Sequence, residues 1–231
     1  MSWIQTCTGG RAYPLSLRPE QVCIEDIAGS LAKLCRFTGH CRKPYYVAQH
    51  CVIVAAEVQR VDPKLALAAL LHEGGEPYLG DINRPVKRSL RSEITATMLD
   101  AKGKVVKVEG TGQYQPLHAA EEYILTQVFK GLDLSWPFPG DPARHDPAGE
   151  RALAIIKEAD DRALLAEARD LMNPPGSWKE WDEAKAGVQP LERTIVPWTW
   201  DRAERAFLGA YCMLREGHTQ SLAETIRKNG G

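Results

Sequence analysis

Two histidines and two carboxylates stand where their types and spacing allow chemistry. His50 lies three residues after Val47 and four before Val54, inside the apolar stripe of a predicted helix. His72 and Glu73 close the next predicted helix. Asp160 falls on the line Leu153, Ile156, Asp160, Leu164, which has helical spacing, whereas Asp161 points about 100° away. A carboxylate on a buried stripe is costly unless it is paired or holds a cation. Together the four side chains offer three or four N/O ligands to a divalent ion and leave positions open for water. Such an ion lowers the pKa of water and offsets charge on a phosphoryl oxygen. Singly, each residue has a plainer reading. A histidine on a helix face is usually a hydrogen-bonded core residue, and Asp160 could pair with an arginine. Periodicity alone does not bring the four together in space.

The elements that must position them are mostly helical. Thr8-Gly9-Gly10, between short alternating stretches of Trp3 to Leu17, reads as a small β-hairpin. Ile24, Ile27, Ala28, Leu31 and Leu34 recur at helical steps, giving a first helix to about Cys35. A second begins near Tyr45 and carries Val47, Cys51, Val54, Ala55 and Val58 on one side. Asp62-Pro63 is an N-cap followed by proline, opening a third helix that should stop at Gly74-Gly75. Pro85 to Met98 is a weaker helix, and Lys102 to Gln115 breaks the pattern as a loop or short hairpin. Helices follow over Pro116–Phe129, Gly149–Met172 and Arg202–Leu214, with Pro-rich Trp136–Pro147 as loop, Asn173-Pro174-Pro175-Gly176 as a stop, and a fraying tail beyond Gly217. The economical reading is one mostly α-helical domain over 1–231.

Composition narrows the partners. The 231 residues are 44% hydrophobic and 26% charged, which is ordinary for a globular chain. With 29 Lys plus Arg against 30 Asp plus Glu, there is no basic excess of the kind a nucleic-acid-coating protein carries. No apolar run approaches the ~20 residues of a membrane span. The N-terminus shows no signal-peptide pattern, so a cytoplasmic location is expected. The six cysteines form no CxxC pair and no zinc-ribbon spacing, and are expected to act as small reduced hydrophobes.

The order His50, then His72-Glu73, then Ala159-Asp160 resembles the H…HD…D signature of the HD-domain metal-dependent phosphohydrolases. The segments Asp26-Ile-Ala-Gly-Ser-Leu, Cys35-Arg-Phe-Thr-Gly-His, Pro44-Tyr-Tyr-Val-Ala-Gln-His50 and Leu71-His-Glu-Gly-Gly-Glu-Pro-Tyr-Leu-Gly-Asp81 are similar to the branch with bacterial 5′-deoxynucleotidases and phage dATP triphosphohydrolases. Lys157-Glu-Ala-Asp-Asp-Arg-Ala-Leu and Glu167-Ala-Arg-Asp-Leu-Met resemble the phage-type members. The similarity runs from about Gly10 to Leu214, with Ser92 to Gln115 as an insertion.

The resemblance implies an HD-type helical bundle that cleaves the 5′-phosphoester of (deoxy)nucleotides. The phage-like motifs tilt this toward a purine deoxynucleoside triphosphate over a monophosphate. It implies one divalent metal ion (Mn, Co, Zn, Ni, Fe or Mg) on His50, His72 and Asp160, with Glu73 in the position of the family's HD aspartate. Glu76 matches the acidic residue that handles the attacking water, and Arg36 a phosphate-contacting arginine. Phe37 sits where relatives place an aromatic against sugar or base. Asp81 and Lys87 match residues lining the nucleotide pocket, and Glu76, Arg36 and Lys87 form the expected catalytic set. Relatives self-associate, which implies a homo-oligomer with a small nucleotide substrate and neither nucleic-acid nor membrane partners. Arginine's planar fork and lysine's point charge suit phosphate, and an aromatic face suits a base.

One departure matters. Glu73 keeps the charge of aspartate but moves the carboxylate by about one bond, and metal sites respond to ligand placement. A nucleotide-binding protein of the same fold with weakened catalysis is therefore the alternative. The zincin motif HExxH is discounted, because His72-Glu73-Gly74-Gly75-Glu76 lacks the second histidine. His40, His118 and His145 are expected to be solvated. The basic cluster Arg84, Lys87, Arg88 and Arg91 reads as a phosphate contact or a solvated face. Trp178, Trp181, Trp198 and Trp200 are expected to pack the C-terminal segment.

Overall fold

Gly9 adopts φ 90°, a conformation that glycine reaches without strain, and turns the chain so that Ile4–Gln5 (β1) pairs antiparallel with Arg11–Ala12 (β2). The computed structural model describes residues 2–83, 86–87, 97–99, 105–107, 116–135, 147–173, 187–217 and 221–228. Apart from this hairpin and one further pair of short strands, the described residues are mainly helical. The helices are α1 (Ile24–Leu31), α2 (Val47–Val61), α3 (Ala66–Leu70), α4 (Glu76–Leu79), α5 (Pro116–Gly131), α6 (Pro147–Leu171), α7 (Trp200–Arg215) and α8 (Leu222–Lys228). The chain forms two compact units, Met1–Ser30 with Gly74–Ser135, and Leu31–Glu73 with Trp136–Gly231.

In the first unit α5 lies against the turns at Pro14–Ser16 and Pro19–Gln21. A Cβ on Gly131 would sit 2.5 Å from Pro19 O and 2.6 Å from Val22 Cβ, so only glycine permits this approach. The Tyr123 hydroxyl donates to Leu17 O at 2.9 Å, beside the fully buried Leu17, Ile124 and Val128. Asp26 of α1 accepts from the Thr8 backbone N–H and hydroxyl at 2.6 and 3.0 Å, tying the hairpin to the helix. Of the expected Pro85–Met98 helix, residues 86–87 are helical, residues 88–96 lie outside the described residues, and at its end Thr97–Leu99 (β3) instead pairs antiparallel with Val105–Lys107 (β4). The β-branched residues of β4 favour the strand. The hairpin therefore starts earlier than the break read from sequence. The rest of the 92–115 insertion, with Arg84, Arg88 and Arg91, lies outside the described residues.

The second unit is built around α2. Eleven of its residues are buried, from Val47 through Ala56 and at Val58, as expected of a helix covered on most sides. It packs against α3, α6, α7 and α8. Gln49 fixes the segment before α7, its amide donating to Val196 O and accepting from Trp198 N–H, both at 2.8 Å. Arg169 and Asp170 hold the same segment through Leu191 O, Arg193 O and Ile195 N–H. The tail beyond Gly217 is not frayed throughout. Leu222 and Ile226 are buried, and Leu222 N–H is capped by Gln59 Oε1 at 2.9 Å, so tertiary packing makes α8 a helix. Among the described residues no helix is long and apolar enough to cross a membrane.

Candidate metal centre

The chain enters α2 through an isolated antiparallel bridge between Cys35 and Tyr46, with Arg36 N–H donating to Tyr45 O at 2.9 Å. His50 follows within the first turn of α2 and is fully buried. Helix α3 ends at Leu70, earlier than the glycine pair, and residues 71–75 form a turn that carries His72 and Glu73. Asp160 projects from the middle of α6. One ligand atom from each of His50, His72, Glu73 and Asp160 lies within 4.8 Å of the others, so this cluster could hold a metal ion.

The spacing fits a cation. His50 Nε2 is 3.2 Å from Asp160 Oδ1 and 3.3 Å from His72 Nε2, and His72 Nε2 is 3.5 Å from Glu73 Oε1. Ligands about 2.1 Å from a tetrahedral ion stand about 3.4 Å apart. The outer nitrogens define the tautomers. His50 Nδ1–H donates to Glu167 Oε1 at 2.7 Å, and His72 Nδ1–H donates to the Ala69 carbonyl at 2.7 Å. A carbonyl can only accept, so in a neutral ring each Nε2 carries a lone pair, and the two lone pairs face each other. Arg36 offsets the charge of Glu167, with Nε donating to Oε2 at 3.0 Å. Asp160 and Glu73 then leave two negative charges at the centre, which a divalent ion would neutralise.

Without an ion, His50 is the member of the cluster whose protonated form is favoured. Burial and Arg36 oppose the charged form of His50, but Glu167 and Asp160 outweigh them and raise its pKa to about 9. Burial also opposes the Asp160 carboxylate, yet its hydrogen bond to His50 and the charges of His50, His72 and Arg36 hold it well below the usual range. Burial lowers His72, outweighing the nearby Glu73 and Asp160 carboxylates. Glu73 is lowered despite burial, chiefly by His72 and Arg36. Burial opposes the Arg36 cation too, but Glu167, Asp160 and Glu73 raise its pKa above the ordinary arginine value.

Arg36 stands at this cluster, Nη1 being 3.9 Å from Glu73 Oε1, and its guanidinium lies 5.3 Å from the Phe37 ring centroid. Phe37 and Thr38 adopt φ 56° and 54°, left-handed conformations that cost a non-glycine residue roughly 1–2 kcal/mol each. Glu76, Asp81 and Lys87 belong to the first unit. Glu76 is buried at the start of α4, with Pro77 in that helix's first turn. Asp81 is half-buried, and Lys87 pairs with Glu121 at 2.6 Å. His40 and His118 are exposed, while His145, Trp178 and Trp181 lie outside the described residues. Trp198 is buried with Arg202 4.5 Å from its ring, whereas Trp200 is 48% exposed with Lys33 5.0 Å away. The cysteines are free; Cys51 is buried and Cys212 exposed.

The packed face of α6 differs from the expected stripe: Leu153 and Leu164 are only half-buried, while Asp161 is buried and accepts from Lys157 Nζ at 2.9 Å. The alanines Ala152, Ala159, Ala163, Ala166 and Ala168 line the packed face, because small residues let helices approach. Glu167, read from sequence only as part of a motif, is fully buried and accepts from His50, Arg36 and the Tyr45 hydroxyl. The signal was present: Glu167 lies seven residues after Asp160, hence on the same face, amid an alanine-rich run.

No family model matches the chain. Over 90 residues it is 41% identical to the uncharacterized protein YfdR of Escherichia coli (strain K12), covering 39% of this chain and 49% of that protein. Over 95 residues it is 36% identical to the uncharacterized protein RCAP_rcc00048 of Rhodobacter capsulatus, covering 38% of this chain and 48% of that protein. The chain spans about half the length of the curated relatives it matches.

Proposed function

We propose that this chain is a metal-dependent phosphohydrolase that cleaves the 5′-phosphoester of (deoxy)nucleotides, with a dATP-type triphosphohydrolase favoured over a 5′-deoxynucleotidase. One observation carries the reading: His50 Nε2 and His72 Nε2 meet at 3.3 Å beside Asp160 and Glu73, with a buried arginine at the cluster's edge. A divalent ion bound there supplies a more acidic water and offsets charge on a phosphoryl oxygen. Arg36 brings a permanent cation to the same place, suited to the negative charge that develops on phosphate oxygens. The other roles come from the resemblance to HD-domain phosphohydrolases. In that reading Phe37 meets sugar or base, Asp81 and Lys87 line the nucleotide site, and Glu76 orients or deprotonates the attacking water.

Glu73 favours a second reading. Its carboxylate reaches 3.9 Å from Arg36 Nη1 and 3.5 Å from His72 Nε2, so it competes with phosphate for the arginine. A nucleotide-binding protein with little turnover would follow. The metal-stripped chain, reloaded with each candidate ion and offered deoxy- and ribonucleotides as mono- and triphosphates, separates the two. Metal-dependent release of nucleoside supports the hydrolase. Binding without release supports the second reading, and neither binding nor release contradicts both.

A further inference from the structure

We propose that Glu167 is the positioning residue of this centre: its single carboxylate holds the tautomer of His50 and the orientation of Arg36 together. The proposal rests on reading the cluster as a metal site, and it adds a residue that is not itself among the four ligands. Glu167 is fully buried on α6 and has three donors around it. His50 Nδ1–H and the Tyr45 hydroxyl donate to Oε1 at 2.7 and 2.8 Å, and Arg36 Nε–H donates to Oε2 at 3.0 Å. A carboxylate accepts on both oxygens and donates nothing, so it can serve all three at once. By accepting from Nδ1 it leaves the His50 lone pair on Nε2, toward His72 and Asp160. By accepting from Arg36 Nε it leaves the Nη groups directed elsewhere, with Nη1 3.9 Å from Glu73 Oε1. A buried ion pair alone is a weak source of stability, and a well-packed apolar pair would serve a core equally well. Holding one histidine tautomer needs an acceptor, and outer partners of this kind commonly set metal affinity.

The isosteric variant Glu167→Gln tests this, because an amide has one oxygen and one NH₂ group. Arginine can only donate, whereas imidazole exchanges tautomers. The amide oxygen therefore turns to Arg36, and its N–H donates to His50 Nδ1, which moves the histidine proton to Nε2 in front of the ligands. Mn²⁺ affinity, read by titration of the metal-free chain, should fall by about 10–100-fold while the helical circular dichroism is kept. Adding Arg36→Met removes the competing donor, lets the amide oxygen face His50, and should recover most of that affinity. A packing role alone predicts no recovery when a second buried residue is changed. In the metal-free protein at alkaline pH, ¹⁵N signals should place the His50 proton on Nδ1 in the wild type and on Nε2 in Glu167→Gln. Unchanged Mn²⁺ affinity in Glu167→Gln, no recovery in the double variant, or a proton still on Nδ1 overturns the proposal. If the wild-type chain binds no Mn²⁺, the metal reading falls, and the His50 ¹⁵N signals decide the positioning role on their own.

Discussion

His50 Nε2 and His72 Nε2 stand 3.3 Å apart, and each ring has committed its Nδ1 proton to another acceptor, the Glu167 carboxylate and the Ala69 carbonyl. Neither Nε2 can donate to the other while both rings are neutral, so a positive charge belongs between them. A proton can fill that place, but with Asp160 and Glu73 alongside, one positive charge leaves one negative charge over.

His72 is the candidate ligand whose loss should separate metal from fold. It sits in the turn after α3, is half-buried, and commits its Nδ1–H to the Ala69 carbonyl, whereas His50 commits its own to Glu167. His72→Ala should lose the bound ion and all metal-dependent activity while its melting transition remains cooperative. Metal content of the dialysed variant, measured beside a thermal melt, checks this. A full complement of metal would show that His72 is not a ligand.

Arg36→Ala should show two effects. Loss of the phosphate contact should lower kcat/KM by more than tenfold, which is about 1.4 kcal/mol or more. Glu167 would also be left buried without its cation, lowering the unfolding free energy by about 3–5 kcal/mol. Steady-state kinetics and a denaturant titration read the two separately. An unchanged kcat/KM with reduced stability assigns Arg36 a structural role alone.

Glu76→Gln keeps the size of the side chain and removes the base. Metal and nucleotide binding should survive while turnover falls by roughly 10²-fold. Equilibrium nucleotide binding and kcat, measured on the same preparation, test this. Normal turnover would leave the attacking water in need of another partner.

Asp170 gives the second unit an acid-sensitive anchor. Burial opposes its charge, but the hydrogen bonds from Arg169 and from Ile195 N–H hold its carboxyl below the usual carboxylate range. A lowered folded-state pKa contributes stability that is present above the ordinary value and lost as pH falls through the folded one. Asp170→Asn should therefore be less stable than the wild type at neutral pH, by about 2 kcal/mol. The gap should close as the solution is acidified below pH ~4. Unfolding titrations of both proteins across that range check it, and a gap that widened toward acid would reverse the sign.

His50 and Asp160 were legible as polar residues on apolar stripes, and the resemblance, rather than periodicity, grouped them with His72 and Glu73 as candidate ligands. The N-terminal hairpin was legible from Thr8-Gly9-Gly10, whose turn chemistry is local. What escaped was non-local. Helix α8 exists because Leu222 and Ile226 find a core. Helix α3 stops at Leu70, before its glycine pair, and His72 and Glu73 lie in the turn over 71–75. Glu167 escaped as a functional residue because its three donors come from Arg36, Tyr45 and His50, all more than a hundred positions away in sequence.

The most direct measurement of the central claim is anomalous diffraction from crystals of the chain grown with Mn²⁺. The expected result is one strong anomalous peak about 2.0–2.3 Å from His50 Nε2, His72 Nε2 and an Asp160 carboxylate oxygen, with Glu73 as the fourth protein ligand. Saturating Mn²⁺ with no anomalous peak among these four side chains would contradict it.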